Sequence, residues 1–317
     1  MTNKTVTADK RTANNAIRIS TGDKAYYTIV YTMLGLFTLL IIMPLINVVA
    51  NSFSSQDAVA FGWVTFWPVR FTLRGYDAVF EYKGIWTAYG NTFFYAFVGT
   101  ALNLAMTMIC AYPLARKSIP GHGFITGLFM FTMFFGGGTI PNYILVRTLG
   151  LMNTRTAMII PGAMSVYNMI IARTFINNIP SELEEAAKID GCSDFKYFFN
   201  MVLPLSGTVM AVLALYYAVG HWNDYFTAFL YLKDQDKMPL QMVLRAILIK
   251  NSFNTEALAS SAQELLYNQS LQDLLKYCFI VVSTLPILVL YPFVKKYFVK
   301  GVMIGAVRAD SSGMRSR

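Results

Sequence analysis

Six stretches of this chain contain no Lys, Arg, Asp or Glu: 25–56, 84–115, 118–146, 156–172, 197–223 and 277–294. They hold 32, 32, 29, 17, 27 and 18 residues. A helix crosses about 30 Å of hydrocarbon with roughly 20 mostly apolar residues, so runs of this length fit membrane spans. The silence is not diluted elsewhere. Only 14% of the 317 residues are charged, against about 25% in an average soluble domain. A soluble enzyme, a disordered chain and a disulfide scaffold are excluded. The expected fold is an all-α integral membrane protein with six transmembrane helices, at about 26–50, 88–112, 124–147, 155–176, 205–232 and 275–295.

The chemistry-bearing residues are sparse. Cys110, Cys192 and Cys278 form no CxxC pair, so neither a disulfide framework nor a zinc site is expected. His122 and His221 lie 99 positions apart, which excludes a local HExxH-type metal site. A formal charge of +9 could draw nucleic acid, but basic residues flanking membrane helices give the same total. No nucleic-acid partner is therefore expected, and the chain's constant neighbour is membrane lipid.

Charge also orients the chain. The polar segment 1–24 carries Lys4, Lys10, Arg11, Arg18 and Lys24, and the apolar run behind it is too long for a secretory signal. With that segment inside, loops 113–123 and 173–204 and the tail from Lys295 are inside. Loops 51–86 and 233–274 and a turn near 148–154 are outside. Inside segments then hold 16 of the 26 Lys and Arg residues, as the positive-inside bias requires. Both termini are expected in the cytoplasm, in a multi-pass protein of a bacterial cell membrane.

Two places break the apolar pattern. Gly136, Gly137, Gly138 and Pro141 should loosen or break the third span toward its outer side, either to line a substrate path or to allow close packing. The second place is the loop 178–204. Pro180 stops the preceding span, and Ser181 with Glu184 fits a capping box. Glu182, Glu184 and Glu185 sit where a helix dipole favours negative charge, and Gly191 supplies a C-terminal stop. A short amphipathic helix follows, with Leu183, Ala186, Ala187 and Ile189 as its apolar members. A second short helix is expected near 194–200, with Pro204 starting the fifth span. On physics alone this loop is either a docking element or a solvated connector on the membrane surface.

Spacing adds specificity. Glu185-Ala186-Ala187, three residues, Gly191, nine residues, Met201, one residue and Leu203-Pro204 resembles the EAA loop of ABC importer permeases, EAA-x3-G-x9-I-x-LP. The one departure is Met201 for isoleucine, a flexible apolar substitute. The resemblance implies a type I importer permease fold with a cytoplasmic coupling helix seated on an ATP-binding subunit. Glu185, Ala186, Ala187, Asp190 and Gly191 would be docking residues, and Leu203 and Pro204 would hold the hinge to the fifth span. No Gly-Lys dipeptide occurs, so a GxxxxGK[ST] phosphate loop is absent. The chain would be no enzyme and would bind no cofactor, with ATP and magnesium used by partner ATPase subunits.

The resemblance narrows further. Phe135-Gly136-Gly137-Gly138-Thr139-Ile140-Pro141, 149–154 and His221-Trp222-Asn223-Asp224-Tyr225 are similar to carbohydrate-importer permeases, in particular a polysaccharide or oligosaccharide branch. The end, 297–308, is similar to the tail of the maltose-type second permease subunit. This implies a second permease subunit in a heterodimer, two ATP-binding subunits and an extracytoplasmic solute-binding protein. Loops 51–86 and 233–274, long for simple turns, are its candidate docking surface, the second also by the resemblance, with packing over the mouth of the bundle as the alternative. In the second loop, Met242, Val243, Leu244, Ile247 and Leu248 can form a short amphipathic helix. Trp222, Asn223, Asp224, Asn142, Tyr143 and Asn168 are substrate-path candidates, each with an interhelical packing role as the alternative. The permease domain is expected over 25–308, followed by a cytoplasmic tail, 309–317. A permease for peptides or amino acids and a membrane-embedded glycosyltransferase are the competing readings.

Overall fold

The computed structural model describes residues 20–82, 84–116, 119–250 and 270–289. The tail, the end of the sixth expected span, and most of the N-terminal segment lie outside the described residues. So does 251–269 of the second external loop. Every regular element among the described residues is helical.

Helix α1 (Thr21–Ser52) runs roughly 48 Å at 1.5 Å per residue and includes Pro44. Only its last three residues, Ala50, Asn51 and Ser52, are buried. That end is fastened by the loop behind it. Asn47 Nδ2 donates to the carbonyls of Val64 (3.2 Å) and Thr65 (2.8 Å), and Tyr76 Oη donates to Ser52 Oγ at 2.8 Å. The loop carries two short helices, α2 (Gln56–Ala60) and α3 (Arg74–Glu81).

Helix α4 (Gly84–Ala115) is the axis of the molecule. Its N-terminal part packs in a core with Val79, Trp222, Leu240 and Phe279. Its C-terminal part, through Met108, Ala111 and Leu114, packs in a second core with Met169, Phe198 and Leu213. Helix α5 (His122–Phe134) buries no residue fully and meets the second core only through partly buried Ile125 and Phe129.

The third expected span is broken where its glycines predict. α5 and α6 (Thr139–Thr148) meet at 110°, and Gly138 between them has φ +84 and ψ 174. That region of backbone space is essentially open to glycine alone.

The fourth expected span, 155–176, is not one helix. A 3-10 turn at Arg155–Met158 gives way to irregular backbone before α7 (Val166–Ile176), which covers only about 16 Å. Pro161 and Gly162 prevent a continuous helix. Freed peptide groups survive at membrane depth only against protein or water, and here side chains meet them. Asn103 Nδ2 donates to Gly162 O at 2.5 Å, and Ser165 N donates to Tyr217 Oη at 3.1 Å. His221 Nε2 holds Asn103 Oδ1 at 2.7 Å, and Thr107 Oγ1 shares a 2.7 Å bond with Tyr217 Oη.

The charged loop forms α8 (Ser181–Ile189) and α9 (Asp194–Leu205), which meets α10 (Gly207–Asn223) at 77°. The remaining α-helices among the described residues are α11 (Phe226–Tyr231), α12 (Leu240–Lys250) and α13 (Ser270–Val289). α12 falls in the segment expected to be amphipathic, and its Leu240 and Ile247 are buried. Three helices, α1, α4 and α13, are each long and apolar enough to cross a membrane, and the two bent pairs pass the same test jointly.

Candidate functional site: the 181–206 loop and its anchor

The α8 helix ends in a glycine motif. Gly191 adopts φ +69. Its N–H donates to Lys188 O (3.1 Å), and Cys192 N–H donates to Ala187 O (2.9 Å). These are the paired 5→2 and 6→1 bonds of a Schellman stop, with Gly191 in the left-handed position. A Cβ at this glycine would meet nothing within 4 Å, so space within the chain does not select glycine there. Backbone conformation does.

The start of α8 differs from expectation. Pro180 occupies the N-cap, with no side-chain capping bond, so the Ser181–Glu184 capping box does not form. Glu184 is engaged elsewhere: its Oε1 accepts from Lys188 Nζ at 2.7 Å and lies 3.2 Å from Arg116 Nη2.

The apolar residues of α8 divide between two sides. Ala187 is buried in the core beside Tyr197, Phe198 and Val202. Leu183 and Ala186 are exposed, and Ile189 is 85% exposed. Glu185, Asp190 and Gly191 are exposed as well, as is Phe195 in the next helix. The described residues leave this apolar face uncovered.

Helix α9 opens on Ser193, whose Oγ accepts from Lys196 N at 3.4 Å. It then widens into a π turn at Phe198–Val202, with Leu203 N–H bonded to Phe198 O. Pro204 explains the widening. It has no N–H to give Asn200, and its ring would crowd that carbonyl in a regular α turn. Pro204 therefore lies in the last turn of α9, and the following span starts at Gly207, past an elbow at buried Ser206. Ser206 N–H is shared between Val202 O (2.9 Å) and Leu203 O (3.2 Å).

Arg116 joins these pieces. It directly follows α4, with its side chain 15% exposed, and Nη1 donates to Asp194 Oδ1 at 2.7 Å. The guanidinium also stacks over the Tyr112 ring at 4.4 Å and lies 5.8 Å from that of Tyr197. The hydrogen bond from Arg116 holds the Asp194 carboxyl below the ordinary carboxylate range. Burial works against the charge on Arg116, but Asp194, with the neighbouring Glu184, outweighs it and raises its pKa. A cleft of about 190 Å³ opens beside this group, with Tyr112, Arg116, Pro180, Ser181 and Glu184 in its wall. In sequence, Arg116 looked like an ordinary basic residue at the inner end of a span. A cation placed directly after an uncharged run and paired with a loop carboxylate is visible only in three dimensions.

The substrate-path candidates lie on α6, on α7 and at the junction of α10 with α11. Trp222 is 3% exposed. Its indole N–H donates to Ser283 O on α13 at 3.1 Å, and its ring meets Phe93 edge-on at 5.2 Å. Asn223 is exposed and donates back to Val219 O at 3.0 Å. Asp224 Oδ1 accepts from Thr227 N at 3.0 Å and so caps α11. Tyr143 stacks on Tyr231 at 6.3 Å, Asn142 is exposed, and Asn168 is buried at the start of α7.

Apolar spanning helices broken at glycine and proline, with a charged helical loop beside them, define an integral membrane protein of the helical class. Residues 16–260 match the family of binding-protein-dependent transport system inner membrane components. The chain belongs to that family. Protein LplC of Bacillus subtilis (strain 168) is 41% identical over 267 residues, 84% of this chain and 89% of LplC. The polygalacturonan/rhamnogalacturonan transport system permease protein YtcP of the same strain is 37% identical over 286 residues, 90% of this chain and 99% of that protein. One chain in the crystal structure of a bacterial ABC transporter involved in the import of the acidic polysaccharide alginate superposes with a TM-score of 0.81. Identity to it is 33%, covering 88% of this chain and 98% of that one. The fold is that of an ABC type I permease.

Proposed function

We propose that this chain is the permease subunit of an ATP-driven importer of oligosaccharides, and that α8 is its coupling helix. The observation that carries the reading is the uncovered apolar face of α8, closed by Gly191 and built through Ala187 into the same core as α4 and α10. An exposed apolar face on a helix tied to the core suits reception of another subunit. On this reading Glu185, Ala186, Ala187, Asp190 and Gly191 form the docking segment, and Leu203, Pro204 and the elbow at Ser206 pass its movement to α10.

The span count is six when each bent pair is one crossing and the broken segment ending in α7 is another. Residues 1–24 and 309–317 are then cytoplasmic segments flanking a permease domain at 25–308. Loops 51–86 and 233–274 face an extracytoplasmic binding protein. A second permease subunit completes the pathway as a heterodimer. Two ATP-binding subunits use ATP and magnesium, while this chain binds no cofactor and performs no catalysis. Exposed Asn142 and Asn223 are the substrate-path candidates most open to a cargo, with Tyr143, Asp224 and Asn168 behind them and Trp222 holding α13.

The cargo follows from the polygalacturonan, rhamnogalacturonan and alginate named for its relatives. Reconstitution with the partner permease, ATPases and binding protein tests it. ATP-dependent uptake of labelled oligosaccharide, and not of peptide, is expected. Peptide uptake alone would overturn the cargo. Group transfer onto sugar without the ATPases would favour an enzyme and overturn the whole reading.

A further inference from the structure

Arg116 lies outside the loop that carries the family spacing, yet it is where a spanning helix grips that loop. It follows the last residue of α4 and contacts both loop helices, through Glu184 on α8 (3.2 Å) and Asp194 on α9 (2.7 Å). Its plane is backed by Tyr112, one turn earlier in α4, at 4.4 Å. Tyr112 Oη adds a longer bond to Asp194 O at 3.4 Å. Arg116 hydrogen-bonds Asp194 through Nη1 and faces Glu184 as an ion pair without a hydrogen bond, a two-sided arrangement that a planar guanidinium suits better than the point charge of a lysine.

The placement has a mechanical consequence. α8 is only nine residues long and puts a single side chain, Ala187, into the core. Alanine offers little bulk to resist sliding or rolling. The polypeptide continues from α8 to α10 through the π turn and the 77° elbow, a path with two irregular points. α4, by contrast, is one 32-residue helix. A force applied to α8 thus has a covalent route with two irregular points and a second, non-covalent route through Arg116 into α4, a continuous helix with Pro113 in its last turn.

We propose that Arg116 is the positioning residue that transmits movement of α8 and α9 directly to α4, so that the loop drives two spans rather than one. This rests on the reading of α8 as the coupling helix. Loss of Arg116 would leave docking intact and waste hydrolysis.

The test uses the complete importer in proteoliposomes, with two readouts. One is labelled oligosaccharide carried per ATP hydrolysed. The other is disulfide cross-linking of Ala186→Cys to a cysteine placed in the ATPase groove. Arg116→Ala is expected to keep the cross-link and the hydrolysis rate while lowering cargo per ATP about tenfold, within the usual range of coupling between distant sites. Arg116→Lys should recover only part of the ratio, and Asp194→Asn should lose less than Arg116→Ala. A residue that merely stabilised the fold would reduce the amount of assembled importer and leave the ratio unchanged. An unchanged ratio in Arg116→Ala with the cross-link intact overturns the role of Arg116 and spares the coupling helix. If that variant fails to assemble, unchanged ratios in both Arg116→Lys and Asp194→Asn overturn it equally. Absence of the cross-link in otherwise unaltered protein overturns the coupling helix, and the Arg116 proposal with it.

Discussion

Gly191 and Gly99 are both glycines a sequence pattern would treat alike, and the structure gives them opposite reasons. At Gly191 the backbone is left-handed and the surroundings are empty. Gly191→Val should therefore cost the isolated chain only about 1–2 kcal/mol of backbone strain. Any larger loss of transport must come from what docks against it. Gly191→Asn, which tolerates positive φ, separates the two effects: transport that falls equally in both variants identifies steric exclusion from the docking site. Normal transport by Gly191→Val would remove this loop from coupling. At Gly99, a Cβ would collide with the His221 ring across the α4–α10 contact. Gly99→Ala should lower stability by about 1–3 kcal/mol, the usual cost of overpacking, and a thermal melt of the detergent-solubilised protein would show it. Trp222 is decided by its indole N–H. Trp222→Phe removes the bond to Ser283 O and should lower stability by about 1 kcal/mol without altering cargo preference. A changed preference, measured by competition between oligosaccharides, would return Trp222 to the substrate path.

Elements were legible from the sequence to the extent that charge alone delimits them. α4 coincides with the uncharged run 84–115, and α1 and α13 each enclose most of another with charged residues only in their first two turns, because a lipid-facing helix excludes ionised groups along its length. The same rule is silent about continuity. The run 156–172 is as uncharged as any other, yet Pro161 and Gly162 divide it, and the break depends on Asn103 and Tyr217 arriving from other helices. The run 197–223 begins inside α9, so its first ten residues belong to the loop and not to the span. The Schellman stop of α8 could be anticipated because Gly191 carries it alone. The capping box does not form because α8 takes Pro180, and not Ser181, as its N-cap, while Glu184 pairs with Lys188 and with Arg116, a partner distant in sequence. The glycine break between α5 and α6 allows a direct check. Gly138 sits at φ +84 and ψ 174, so Gly138→Ala should impose about 1–3 kcal/mol of strain. Gly136→Ala and Gly137→Ala, at positions without positive φ, should be milder. Equal effects in thermal melts would mean that the bend does not depend on Gly138.

At the scale of the whole molecule, what stands out is apolar surface that the described residues do not cover. α1 exposes Leu36 at 63%, Leu39 at 65% and Leu40 at 71%, and only its last turn touches the core. Water would penalise such a helix at roughly 25 cal/mol for each Å² of apolar area left open. Lipid or a second subunit would not. The two coverings respond differently to one substitution. A lysine near the middle of a spanning helix costs about 2.5–3.5 kcal/mol on insertion, and Leu40 is close to the middle of α1. Leu40→Lys should therefore reduce membrane integration of the chain expressed alone, measured as the fraction resistant to alkaline extraction. Glu182→Lys, a charge change on exposed α8, should leave that fraction as it was. Co-expression with the partner permease adds the discriminating step. If the partner covers this face, Leu40→Cys will react with a lipid-soluble maleimide in the single chain and be protected in the assembled importer. Equal reactivity in both would assign the α1 face to lipid and leave the partner's contact to the other open helix, α5, where no residue is buried.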